Sequence, residues 1–376
     1  MRTPLLKNNN IFPSILDKLI LNEIGKPFVF GILIFTMIFV SADLLFQAAR
    51  LMIQRGISFW VVSRLFCYRI PEVIGLTLPM SALLATLLGF SKLSANSELI
   101  AIKSMGVSFG RILRPVVLSS ILVSLATFMW TEFVTPVTSL AANNLMQYEI
   151  LKNQSRLVKE KMFLREERGG ALHRVFYVDK LNIKDAALEG IVVQEFGDDG
   201  RLLRISNAPS GSWIDGQWWI ENGQIFDIDK EGNVKLLLQF EHQKLALNLS
   251  PEDLERSTRN PLDMSARELW LYIKHAGVME ITNVPSLLVT FHYKLSIPWA
   301  SFVLAILGAG LGGRTRARSG TGASFGLSVL IVFAYYLLMS LCRALGESGN
   351  MVPLISAWLP NITFFLVGIY FVRRAN

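Results

Sequence analysis

Residues 94 to 107 read Ser-Ala-Asn-Ser-Glu-Leu-Ile-Ala-Ile-Lys-Ser-Met-Gly-Val and lie between two apolar runs of membrane-spanning length. A polar stretch in that setting must lie at a membrane face. The pattern predicts a short helix over about 94–106. Ser94 or Asn96 can cap it, Glu98 suits the positive end of its dipole, and Gly106 can end it. Leu99, Ile102 and Met105 recur at i, i+3 and i+6, which makes one apolar edge. A short helix held between two spans can carry a push from a cytoplasmic partner into the bilayer. An ordinary interfacial connector would have the same spacing.

Outward from this stretch, the chain has 376 residues, 52% of them hydrophobic and 18% charged, with a positive mean hydropathy. That composition places it among membrane proteins. Charge-free runs occur at 27–42, 73–91, 115–131, 295–313, 319–342 and 348–372. A span needs roughly 20 residues. The first run is short but continues past Asp43 through Leu44, Leu45 and Phe46. Val40-Ser41-Ala42 resembles a signal cleavage site, yet the amphipathic lead over 1–26 is long for a signal. Within that lead, Leu16, Ile20 and Ile24 alternate with Asp17, Lys18 and Glu23, as in a helix lying on the inner membrane surface.

Basic residues set the orientation. Lys7, Lys18 and Lys26 precede span one. Lys92, Lys103, Arg111 and Arg114 lie between spans two and three, Arg314, Arg316 and Arg318 between spans four and five, and Arg373 and Arg374 at the end. All fall on one side if both termini are cytoplasmic. The net charge of +8 then belongs to inner loops, and no basic block with interleaved aromatics indicates a nucleic-acid surface.

The segment after span one breaks this rule, because Arg50, Arg55, Arg64 and Arg69 would face outward. Arginine's rigid donor fork suits phosphate or carboxylate, so an anionic partner there is one reading. A snorkelling set with Glu72 as neighbour is the other. Asp43 would cost up to about 3 kcal/mol at a helix centre and less near an interface. Arg50, seven residues on, shares its helix face, which suggests an electrostatic edge facing a cavity. Pro79 interrupts span two and Pro298 opens span four; both are expected to kink their helices.

The middle of the chain, roughly 135–290, has no spanning run. Strand-like segments with partial alternation appear at 159–165, 175–181, 188–196, 202–207, 218–228, 234–240 and 244–249. Turn signals stand at Asp199-Gly200, Asp215-Gly216, Asn222-Gly223 and Glu231-Gly232. This pattern argues for a sandwich or jelly roll. Trp213, Trp218 and Trp219 read as core and edge packing, with a sugar platform as the alternative. Ser265-Ala-Arg-Glu268 is a capping box that opens a helix leading back to the membrane.

Cys67 and Cys342 read as buried free thiols; a disulfide near the outer ends of spans is the alternative. With His173, His242, His275 and His292 scattered, no metal spacing exists. Gly308-Ala-Gly310-Leu-Gly-Gly313 matches a dinucleotide fingerprint by letters, but it ends an apolar span instead of following a strand. Gly308 and Gly312 form a small-xxx-small pair that favours close helix packing. No Walker A sequence and no enzyme motif is present, so the chain reads as a non-enzyme with no cofactor of its own.

The ordered short motifs resemble the lipopolysaccharide export permease family, LptF/LptG. They are Leu78-Pro79-Met80 with Ala82-Leu83-Leu84, Ser97-Glu98-Leu99, Met105-Gly106-Val107, Met264-Ser265 with Glu268-Leu269, His292-Tyr-Lys294-Leu-Ser-Ile-Pro298 and Trp358-Leu-Pro-Asn361. The resemblance implies a membrane α-helical fold: six transmembrane helices in two groups of three, with an inserted periplasmic all-β jelly-roll-like domain. The parts would be 1–134, 135–290 and 291–376. It implies an inner-membrane location and a second permease subunit, a paralogue or a second copy. Its other partners would be a cytoplasmic LptB-like ATPase dimer that uses the ATP, periplasmic LptC/LptA-like jelly-roll bridge proteins, and lipopolysaccharide. By the same resemblance Ser97, Glu98, Leu99 and Met105 would couple to the ATPase. Arg50, Arg55, Asp43 and Lys294 would form the lipid-phosphate site. The alternative function is a mechanotransmission permease that drives a periplasmic partner and moves no lipid.

Overall fold

The computed structural model describes residues 15–150, 158–168, 171–182, 185–197, 199–229, 231–245, 247, 250–251, 261–278, 284–314 and 321–375. It divides into two compact units: Met1–Thr138 with His292–Asn376, and Ser139–Phe291. The first is helical. It holds α1 (Ile15–Phe39), α2 (Leu45–Arg55), α3 (Phe59–Ala95), α4 (Glu98–Ser104), α5 (Phe109–Met129) and the start of α6 (Thr135–Asn144). After the second unit the helical unit resumes within α8 (Val284–Gly312), followed by α9 (Thr321–Glu347) and α10 (Pro353–Ala375). Among the described residues, six helical stretches are long and apolar enough to cross a membrane, at the six positions expected.

Their ends differ from expectation. The surface helix expected before span one is the N-terminal part of α1 itself, which runs unbroken through Pro27. A proline in a helix frees the carbonyl four residues back, here that of Glu23. A Cβ on Gly89 of α3 would lie 3.2 Å from that oxygen, so glycine lets α3 close on α1 there. Pro298 does not open its helix either, because α8 begins at Val284 and carries the proline inside. The connection between spans one and two is helical too. A π-turn (Val40–Leu44) leads into α2, and Gly56 at φ 64° ends α2 as a left-handed cap. Only residues 56–58 break the helix before α3.

The Gly308 and Gly312 pair packs as its spacing predicts. A Cβ on Gly308 would meet the Leu83 carbonyl oxygen at 2.7 Å, and one on Gly312 the Leu87 carbonyl oxygen at 2.7 Å. On the other side of α8, Gly310 faces Val372 and Gly368 of α10 faces Leu307. A buried hydrogen-bonded chain joins α8, α9 and α10. The Tyr335 hydroxyl donates to Asn361 Oδ1 at 2.9 Å, and Asn361 Nδ2 donates to the Ser296 carbonyl oxygen at 2.8 Å and to Ser296 Oγ at 3.0 Å. Ser296 Oγ then donates to the Ala357 carbonyl oxygen at 2.6 Å. Away from water such groups need internal partners.

The second unit contains one antiparallel sheet with strands in sequential order: β1 (Val158–Arg168), β2 (Ala171–Asn182), β3 (Ala187–Phe196), β4 (Leu202–Ile214), β5 (Gln217–Ile228) and β6 (Val234–Leu245). The last two expected strands are thus one strand through Leu245; Ala246, Asn248 and Leu249 lie outside the described residues. Asp215-Gly216 is a two-residue hairpin with both residues at positive φ, as a type I′ turn requires. Asn222-Gly223, expected as a turn, lies inside β5.

Asn222 marks a corner. Pairing is interrupted along one row that crosses every strand at Lys161, Asp179, Gly190, Pro209, Asn222 and Glu241. Gly190 and Asn222 take left-handed φ values of 63° and 52°, and Pro209 has no N–H to donate. At this row buried positions step by three residues instead of two: Val178 to Leu181, Leu188 to Ile191, Ala208 to Gly211, Ile220 to Gly223. The sheet therefore folds over along the row, and both halves turn apolar sides into one core. That core holds Phe176, Leu181, Ile191, Trp218 and Ile220. The jelly-roll-like interior is thus made by a single folded meander. Trp213 packs edge-on against Trp218, centroids 5.1 Å apart, which decides for core packing of this pair.

Past the sheet, the capping box of α7 (Ala266–Val278) forms as read: Glu268 N–H donates to Ser265 Oγ and Ser265 N–H to Glu268 Oε2, both at 3.0 Å. Both cysteines are free; Cys342 is buried as expected but Cys67 is exposed.

Replacing Asn361 by Leu should strand the Tyr335 hydroxyl and cost about 1–3 kcal/mol. Adding Tyr335→Phe should recover part of that loss, as read by thermal unfolding in detergent.

Candidate functional site

The α4 helix sits in a socket. Leu99 is 2% exposed and Ile102 8%. They pack in one cluster with Ile20 and Ile24 of α1, Phe90 and Leu93 of α3, Phe109 and Ile112 of α5, and Ala375 of α10. Met105, expected on the same edge, is 74% exposed, and Ile100 is 64% exposed. The physical reason is the length of α4. The helix ends at Ser104, so Met105 has left its phase and turned outward. Gly106 follows at φ 84° and makes the turn into α5. The cap also differs: Ser97, not Ser94 or Asn96, is the N-cap, held at φ 60° with no capping bond from its side chain. Asn96 Nδ2 instead donates to Glu98 Oε1 at 3.0 Å, which fixes the carboxylate at the helix start.

Ion pairs gather round the socket. Arg111 of α5 grips Asp17 of α1 with two nitrogens, at 2.5 and 3.1 Å, the bidentate geometry arginine favours. Lys92 near the end of α3 bonds Glu23 of α1 at 2.8 Å. The Lys103 ammonium donates to the Ala375 carbonyl oxygen and lies 5.1 Å from the centre of the Phe109 ring. Segments that the basic-residue argument placed on one side are therefore in contact there. Sequence reasoning missed this clamp, because acid and base are 94 residues apart in one pair and 69 in the other. Spacing along one helix could not reveal them.

The second group lies toward the other end of span one. Arg50 and Arg55 are exposed on α2, so Arg50 is helical, as its spacing from Asp43 assumed. Arg69 is paired with Glu72 at 3.0 Å, which matches the snorkelling-set reading for that residue. The Asp43 side chain lies outside the described residues, so its expected edge with Arg50 does too. Lys294 is half-buried on α8, on a different helix from the arginines.

The family model described as "Lipopolysaccharide export system permease LptF/LptG" matches residues 18–374. Lipopolysaccharide export system permease protein LptG of Escherichia coli K12 is 22% identical over 316 residues, covering 82% of this chain and 84% of that protein. The protein of the same name from Escherichia coli O6:H1 matches to the same extent.

Leu99→Ala should destabilise the protein by about 2–5 kcal/mol, the usual cost of truncating a buried leucine. Met105→Ala should leave the thermal midpoint unchanged, since its side chain touches mainly solvent. A matched pair of melting curves checks both.

Proposed function

The chain belongs to the LptF/LptG family of lipopolysaccharide export permeases, and on that premise we propose that it is the permease subunit of an exporter driven by a separate cytoplasmic ABC ATPase dimer. It draws lipopolysaccharide from the outer leaflet of the inner membrane, with a second permease subunit across a shared cavity. Its termini are cytoplasmic and its β domain periplasmic. The ATPase, not this chain, binds and hydrolyses ATP.

The observation that carries this reading is the two-sided build of α4. One side is seated among α1, α3 and α5, while Ser97, Ile100 and Met105 stand exposed for a partner. A stroke on Glu98 and Met105 is passed through Leu99 and Ile102 to the helices around them. The Asp17–Arg111 and Glu23–Lys92 pairs make α1 follow. On the outer side Arg50 and Arg55 meet the lipid's phosphates, with Lys294 and Asp43 as the further charged residues assigned to that role. An exposed phosphate contact gains little energy in water and more once the lipid headgroup excludes it.

The β domain passes the lipid to a jelly-roll bridge. Among the described residues strand β6 is an edge, and Val234, Leu236, Leu237 and Leu238 on it are more than half exposed. An apolar edge strand of this kind is a template for strand addition.

In the reconstituted complex, Glu98→Ala should stop lipid release while ATP hydrolysis by the partner continues. Normal export by a normally assembled mutant would refute the coupling role. Replacing Arg50 and Arg55 together by Ala should reduce crosslinking of lipopolysaccharide severalfold. Undiminished crosslinking with export intact would refute the phosphate role, and a chain that takes up no lipid at all would favour the mechanotransmission reading.

A further inference from the structure

Where the sheet folds over, its outer side carries a groove of about 570 Å³, within the roughly 300–1,000 Å³ of small-molecule sites. Phe176 and Val178 face the core, so Tyr177 and Asp179 point the other way. Across the strands they are joined by Asn207, Asn222 and Gln224, with Gly190 between them. Two rows form the groove. Tyr177 pairs with Val192, Val192 with Asn207 and Asn207 with Gln224. The second row is the interrupted one, Asp179, Gly190, Pro209 and Asn222.

The backbone is shaped for this opening. A Cβ on Gly190 would fall 2.7 Å from the Asp179 Cβ, so only glycine keeps the floor low. The left-handed φ of Asn222 turns that residue out of the ladder's regular course. The Tyr177 hydroxyl lies 3.4 Å from Asp179 Oδ1. Desolvation, and then the Asp179 carboxylate, push the phenol above its ordinary value, so it remains a donor at neutral pH.

The described lining disfavours the other classes of ligand. Among the described residues no lysine, arginine or histidine lines the groove, and Asp179 would repel a phosphate. A peptide strand needs a free sheet edge, and these residues lie on β2 to β5, which among the described residues are the inner strands of the sheet. An acyl chain would strand three carboxamides and a carboxylate without partners. Vicinal hydroxyls match the set. Each both donates and accepts, a carboxamide does the same in a fixed plane, and a carboxylate accepts twice. The Tyr177 ring, Val192 and Pro209 offer flat apolar surface for the C–H face of a pyranose.

We infer that this groove is a saccharide-binding site and, resting on the function proposed above, that it holds the sugar portion of the exported glycolipid.

The test uses the full-length protein in detergent and, as probe, the lipid-free oligosaccharide released from lipopolysaccharide by mild acid. Saturation-transfer NMR should detect binding to the wild type. Asn207→Ala with Gln224→Ala should weaken it by about tenfold or more, and inorganic phosphate should not compete. Asn207 is exposed and Gln224 half-buried, and an unchanged melting curve confirms that the variant is folded. Should that variant unfold, a photocrosslinker at Asn222 in the otherwise native protein gives the same answer, and sugar-derived adducts are expected there. Equal binding by wild type and variant, no binding by the wild type, competition by phosphate, or no sugar adduct at Asn222 would each overturn the proposal. Intact glycolipid separates this failure from that of the transport reading. If it binds in an Arg50- and Arg55-dependent way while the free oligosaccharide does not, only the groove falls. If neither binds, both readings fall.

Discussion

A Cβ atom at Gly308 or Gly312 would lie 2.7 Å from the Leu83 or Leu87 carbonyl oxygen, so α8 can press against the α3 backbone only while both positions are glycine. In hydrocarbon no hydrophobic force drives helices together, and close packing with internal hydrogen bonds must hold them. The α3–α8 contact supplies the packing, and Asn361, Ser296 and Tyr335 supply bonds that tie α8 to α9 and α10. The socket depends on this arrangement. α3 leads directly into the turn before α4, and Ala305 and Ala309 of α8 belong to the same cluster as Leu99 and Ile102. A looser α8 would leave α4 seated on a yielding surface.

Much of the fold was legible because hydrocarbon imposes long uniform runs that a sequence shows directly. The span ends were less legible, since helices overshoot the bilayer. The run beginning at Pro27 belongs to a stretch of 41 residues, Ile15–Arg55, whose polar ends carry no apolar mark. In the β domain the partial alternation had a physical cause. At the row through Gly190 and Asn222 the core positions slip by one residue, so a strict two-residue period fails in mid-strand. For the same reason Asn222-Gly223 imitated a turn: a corner and a hairpin both require left-handed backbone.

The site was legible only in part. Glu98 and Leu99 could be singled out by position within a short polar stretch, and Leu99 is buried as its spacing required. Met105 could not be placed, because the phase argument assumes a helix one residue longer than α4. The clamp of Asp17 with Arg111 and Glu23 with Lys92 is purely tertiary. Asn361 and Ser296 each stand in a short motif that carries the family resemblance, but nothing in either motif reveals that one hydrogen-bonds the other across two helices.

The corner in the sheet also bears on how such a domain can change over time. Every strand bends at the same row, so each must present its bend at a matching distance from its own ends. Adding or removing one residue in β3 alone would carry Gly190 out of line with Asp179 and Pro209 and place a side chain where the sheet must crease. Strand lengths on either side of the crease are therefore constrained together, whereas the hairpin ends can vary. Length variation among descendants of this chain should accumulate at the tips of the domain and spare its waist.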